Sequence, residues 1–339
     1  MSRVAAGLAV TLAMTAHEGR VSAGPRDGPP AGMLLVANKG DQTLGIIDPA
    51  AGRQTATVKQ SGFTGHELIA SPDGRTAYVP IYGDAGVGRA GSDGRTMDVI
   101  DVASRRRVAT IDFGKPLRPH DPKFGPDGLL YVTTELTNSV TIVDPRRNEV
   151  VGTIPTGQPE SHMLAITRDG RRAYTSNVHV GTVSALDLRE RKLLAVIPVS
   201  AHAQRISLSA DDRWAFTADQ EQPRLAVIDT ATNAVKQWIS LPGIAYGTAA
   251  TADGRWLVLA LIRLNKVGVV DLKSMQFVRS LDVPKAPQAV LVRPDDRVAY
   301  VSCDASGKVA EIDLEEWKVN RLVDAGPFVD GMAWAASPP

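Results

Sequence analysis

The 339 residues carry 38 basic and 37 acidic side chains, for a formal charge of +1. That balance speaks against a nucleic-acid groove, which needs an excess of Lys and Arg. A single cysteine, Cys303, excludes an intrachain disulfide, and aromatic residues at 5% leave core packing to Val, Ile, Leu and Ala.

In chain order, Met1-Ser2-Arg3 supplies a positive charge, Val4 to Ala16 is apolar, and Val21-Ser22-Ala23 offers small residues before Gly24. This pattern predicts a secretory signal peptide over 1–23, followed by a flexible lead-in over 24–32. The apolar stretch is too short to span a bilayer. The chain is therefore expected to be exported, periplasmic or secreted, without a membrane span.

From residue 33 onward the sequence repeats. Turns open at Gly125, Thr167, Ser209, Thr251 and Arg293, each 42 residues after the last, and an earlier one is Ser71-Pro72-Asp73-Gly74. Between Ser71 and Gly125 the spacing grows to 54, so that unit holds an insertion. A second marker, an apolar pair followed by Asp, recurs at Asp48, Asp101, Asp144, Asp187, Asp229, Asp271 and Asp313. Four short β-like runs per period predict an all-β fold, a seven-bladed β-propeller with four antiparallel strands per blade over 33–335. The seventh unit is split. The C-terminal stretch Pro327 to Trp334 reads as the first strand of blade 1 and Met33 to Asn38 as its second, which closes the ring. Blade 1 combines 327–335 with 33–60, and blades 2 to 7 follow at 61–113, 114–155, 156–198, 199–241, 242–283 and 284–325.

The run Ser71 to Val79, followed by Val99-Ile100-Asp101-Val102 and Val108 to Ile111, resembles the YVTN-repeat (YncE-like) seven-bladed propellers. This resemblance implies export and a site on the top face, where the innermost strands begin. Gly65-His66-Glu67 and Pro119-His120-Asp121 are also similar to stretches of the seven-bladed propeller lactonases, over those segments only. Haem-binding relatives of the fold use a His as axial ligand, although the sequence has no haem-attachment motif.

Functional information lies in what the repeats do not share. Five residues before the six turns, at the top of the innermost strands, stand His66, His120, His162, Gln204, Tyr246 and Gln288, with Asp330 at the equivalent place in the split blade. Three adjacent blades thus place His at one register. Such a trio is the ligand set of a divalent transition metal (zinc, copper, manganese, iron or nickel) that polarises a carbonyl or activates water. Without a metal, the same histidines serve as general acid and base, with Tyr246 as proton donor. Glu67, Asp121 and Glu160 stand near for orienting or acid–base duty, Arg118 and Arg205 to hold an anion, and His179, His202 and Tyr82 complete the top-face pocket. The glycine-rich insertion Tyr82 to Arg95 reads as a mobile lid. Two functions stay open: a metal-assisted hydrolase or lyase acting on a small molecule, or a non-catalytic module binding a partner protein, a glycan or a redox cofactor. Substrate and oligomeric state are left open, with a monomer favoured.

Overall fold

The computed structural model describes Met1, residues 31–63 and residues 65–337. The expected signal peptide and most of the lead-in lie outside these residues, while Gly32 already belongs to a strand. The 42-residue period appears as seven four-stranded antiparallel sheets, the blades of a propeller. Blade 1 is assembled from both ends of the chain: Val329–Ala336 pairs with Gly32–Asn38 in a register that sets Leu34 opposite Trp334 and Leu35 opposite Ala333. The ring closes through this pairing, which covers the edge that Gly32–Asn38 would otherwise expose.

Each blade is graded from axis to rim. In blade 7 the second strand, Val298–Cys303, is buried throughout, whereas the outermost, Lys318–Asp324, buries only Val323. Seven apolar clusters hold the described residues together, and each spans two neighbouring blades. One joins Leu35, Leu44 and Ile46 of blade 1 to Leu68, Ala77 and Val79 of blade 2. Another closes the circle, joining Val298, Tyr300 and Val309 of blade 7 to Leu34, Val36 and Val329 of blade 1. Because every interface is built from branched aliphatics in strand pairs, truncating one Leu or Ile costs about 2–5 kcal/mol.

The repeated Asp is a turn device. Asp48 accepts from the backbone N–H groups of Ala50 and Ala51 at 2.8 and 3.1 Å. Asp229, Asp271 and Asp313 do the same in their own turns, each accepting a first N–H at 2.8 Å. A short side-chain acceptor that satisfies turn donors fixes the third-to-fourth hairpin of each blade.

The innermost strands are irregular at one place. The ladder shifts between Pro119 and Pro122, Ser161 and Met163, Ala203 and Ile206, Pro287 and Val290, and beside Asp330 in blade 1. These bulges fall on the register of His120, His162, Gln204, Gln288 and Asp330. A bulge releases a residue from the pleat and re-aims its side chain. Two residues earlier, Arg118, Glu160, Ala286 and Phe328 adopt positive φ of 51–56°. In five of the seven blades the variable register therefore sits where the backbone departs from the regular ladder.

Candidate functional site

Blades 2, 3 and 4 bring His66, His120 and His162 together at the top of the channel. The rings of His120 and His162 stack with centroids 3.6 Å apart and planes 29° apart, and His66 lies 5.4 Å from His120. Tyr82, from the end of the second strand of blade 2, stands over all three. Its ring centroid is 5.0 Å from that of His66, 5.3 Å from His120 and 6.4 Å from His162.

Hydrogen bonding sets the tautomer of His120. Its Nδ1 lies 3.1 Å from the backbone carbonyl of His162, which also accepts from Thr133 Oγ1 at 2.7 Å. A carbonyl only accepts, so Nδ1 carries the proton and Nε2 keeps its lone pair. That Nε2 is buried without a partner, as is Nδ1 of His162. Burial lowers the pKa of His66 to about 4 and takes His120 and His162 well below their ordinary range. All three are neutral at pH 7.

The expected three-histidine metal set is not assembled. Stacking keeps the in-plane lone pairs of His120 and His162 in separate ring planes, an arrangement that does not converge on one ion about 2.0–2.1 Å from both. Among the described residues no group of three or more His, Cys, Asp and Glu is arranged to hold a metal ion.

One residue beyond the histidine register, the charges form a layer of their own. Arg205 Nη2 pairs with Glu67 at 2.6 Å and with Asp330 at 2.8 Å, and Lys39 pairs with Asp330 at 2.9 Å and Asp304 at 3.1 Å. Arg205 is thus neutralised from both sides, which corrects its expected role in holding an anion. Asp121 accepts from the Leu164 N–H at 2.8 Å and pairs with Lys123, so it fastens blade 3 to blade 4 and does not assist the imidazoles. Burial pushes Glu67 up to about 7, against the pull of Arg205. Below this layer runs a cavity of ≈ 450 Å³ walled by Ile69, Ile166, Leu208, Val292 and Trp334. Toward blade 6, Gln204 Nε2 donates to the Tyr246 hydroxyl at 2.9 Å, under the Arg205 guanidinium, and the Gln288 carbonyl accepts from the Gly247 N–H at 3.0 Å.

The glycine-rich insertion joins strands Thr76–Gly83 and Asp93–Asp101 and crosses the top of blades 3 and 4. In the closed position it is tied down by hydrogen bonds from blade 3. Arg118, only 4% exposed, donates from Nε to Asp93 at 2.6 Å and from Nη2 to the Arg89 carbonyl at 2.6 Å. It therefore clamps the lid and is not free to hold an anion. Glu135, in the short 3₁₀ turn Glu135–Thr137, takes the Tyr82 hydroxyl and the Gly88 N–H, the latter at 3.1 Å. Gly88 has φ +66°, and a Cβ there would collide with Glu160.

Glu160 faces His179, whose Nδ1 is 2.5 Å from its carboxylate, and does not reach the three-histidine cluster. His202 is held in the same way by Glu221. Glu135, Lys39 and Asp304 are not legible in the sequence because they lie off the repeated register. A signal for Glu135 was present all the same, since it occupies in blade 3 the loop position that the insertion occupies in blade 2.

Among the described residues no helix is long and apolar enough to cross a membrane. The structure is similar to hydrazine synthase of Kuenenia stuttgartiensis, with a TM-score of 0.73 and 18% identity over 88% of this chain and 98% of that one. It is also similar to the dihydro-heme d1 dehydrogenase NirN solved in complex with DHE, with a TM-score of 0.65 and 17% identity over 93% of this chain and 78% of that one. At such identities these likenesses speak for the fold. No curated protein matches the sequence. The sequence itself matches a family over residues 124–330, the larger part of the propeller and the span that holds His162, Arg205, Tyr246 and Asp330, and on that match the chain belongs to the cytochrome D1 heme domain family.

Proposed function

We propose that the top-face pocket binds a haem-type cofactor, with His120 as the protein ligand to its iron. The observation that carries this reading is the buried, unpartnered Nε2 of His120, whose Nδ1–H is fixed on the His162 carbonyl. A metal-ligating His donates its other ring nitrogen to a carbonyl or carboxylate in this way, which fixes the ring and raises its basicity. The family match over residues 124–330 and the dihydro-heme d1 dehydrogenase NirN support a haem-type cofactor, while the choice of His120, which precedes the matched span, rests on the geometry. When bound, such a group supplies a redox-active iron.

The remaining steps belong to the chain. His66 and His162, held neutral by burial, offer hydrogen-bonding nitrogens without a charge. Tyr82 and the 84–92 loop keep water from His120 and His162, and the loop has to lift for a tetrapyrrole to enter. Once it lifts, Arg118 loses its carbonyl partner at Arg89, which leaves Nη2 for an acidic group of the ligand while Nε stays on Asp93. Export, expected from the N-terminal segment, belongs to this proposal, as does the YVTN-like ancestry of the repeats, which serve here as scaffold.

The test is a titration of the untagged chain with haemin and with D1-type haem, read by the Soret band. Saturable binding by the parent, lost in His120→Ala and kept in His179→Ala, supports the proposal. No binding by the parent, or equal binding by His120→Ala, overturns it. A metal-assisted hydrolase or lyase is the second reading, favoured by the gathering of three imidazoles under a closed lid. It requires His162 to leave the stack, so a stoichiometric divalent ion lost in His66→Ala and His162→Ala would mark it.

A further inference from the structure

The rim of the top face carries a second pair of histidines that the cofactor reading does not use. His179 lies in the second-to-third loop of blade 4, between strands Arg172–Asn177 and Thr182–Asp187, and His202 in the join to blade 5. Their rings are 5.2 Å apart between centroids and nearly perpendicular, at 83°. Each is oriented by its own carboxylate: Nδ1 of His179 is 2.5 Å from Glu160 and Nδ1 of His202 is 2.5 Å from Glu221. In both rings this leaves Nε2 as the nitrogen without that partner.

We propose that His179 and His202 form a binding site for a divalent transition metal such as zinc or copper, on the solvent rim of the propeller and separate from the three-histidine cluster. Three observations converge on it. First, a carboxylate on Nδ1 is the arrangement that prepares the opposite nitrogen of a His for a metal. Second, two imidazoles that share one tetrahedral ion have ring centroids about 5 Å apart, given metal–nitrogen bonds of about 2.0–2.1 Å. Third, the two segments are fixed to each other before any ion binds: the Ala203 N–H donates to the Val178 carbonyl at 3.1 Å, and the N–H groups of Val199 and Ser200 donate to Gly181 at 2.9 and 3.0 Å. Side-chain exposures of 47% and 38% leave room for water in the remaining positions. Among the described residues no third ligand completes a protein-only shell. Glu160 also stands against Gly88 of the lid, so the ion would fix a carboxylate on which the closed loop rests.

The experiment is a calorimetric titration of the untagged chain with zinc, and with copper read by electron paramagnetic resonance. One ion per chain is expected, with two imidazole nitrogens in the copper spectrum. His179→Ala and His202→Ala should each weaken binding at least about tenfold, and Glu221→Gln about tenfold, the usual effect of removing an orienting carboxylate. His120→Ala should leave the affinity unchanged. Absence of binding, binding indifferent to both rim histidines, or binding lost in His120→Ala would each overturn the assignment. The cofactor proposal stands or falls separately, since its readout is the Soret band and its variant is His120→Ala.

Discussion

The guanidinium of Arg118 donates to the carbonyl of Arg89 at 2.6 Å, and so a residue of blade 3 holds the loop that blade 2 lays over the histidines. Arg118 makes this bond from a left-handed backbone, φ 51°, where a non-glycine side chain is disfavoured. The position is specified by what the side chain reaches.

Releasing that clamp should open the lid. Hydrogen bonds to a charged group contribute about 1.5–3 kcal/mol each, so losing even one shifts a local opening equilibrium about tenfold. In Arg118→Ala, trypsin cleavage after Arg89 is expected to accelerate by about that factor, with cooperative melting retained. An unchanged cleavage rate at Arg89 would show that Glu135 holds the loop without Arg118.

The pH dependence of stability should carry two opposed signatures. His66 is depressed from 6.5 to about 4, so the folded state binds fewer protons than the unfolded one in that window. Its contribution is present above pH 6.5 and is lost as pH falls through about 4. Glu67 is raised from 4.5 to about 7 by burial. Its contribution is present below pH 4.5 and is lost as pH rises through about 7. Relative to the parent, His66→Gln should therefore gain stability as pH falls, and Glu67→Gln should gain it as pH rises. Urea unfolding at pH 4.5, 5.5, 6.5 and 7.5 reads both trends, and a shared sign would refute the assignment of these burial effects.

Ring closure gives the third prediction. Val329–Ala336 is the innermost strand of blade 1 and supplies Val329 and Met332 to the cluster between blades 7 and 1. Deleting residues 326–339 removes a paired strand and exposes the edge of Gly32–Asn38. Loss of the cooperative transition is expected, well beyond a lowered melting temperature. A truncated chain that melts cooperatively near the parent temperature would contradict closure by this strand.

The period of 42 and the recurrent Asp made the seven blades, their boundaries and the split blade legible in the sequence, because a repeat that buries its faces only against its neighbours must reuse one pattern. The register His66, His120, His162 was legible for the same reason: equivalent positions in a ring share one height. What the imidazoles do at that height was not legible. His120 and His162 are 42 residues apart in the chain, and whether their nitrogens converge or their rings stack at 3.6 Å depends on bulges in two separate strands. The charges misled for a related reason. Arg205 and Asp330 are 125 residues apart and meet across the channel, so an arginine that looks free in sequence is paired twice in space. Local chemistry and periodicity fix what the chain writes within one blade, whereas pairing across the axis is a property of the closed ring, and only the tertiary structure decides it.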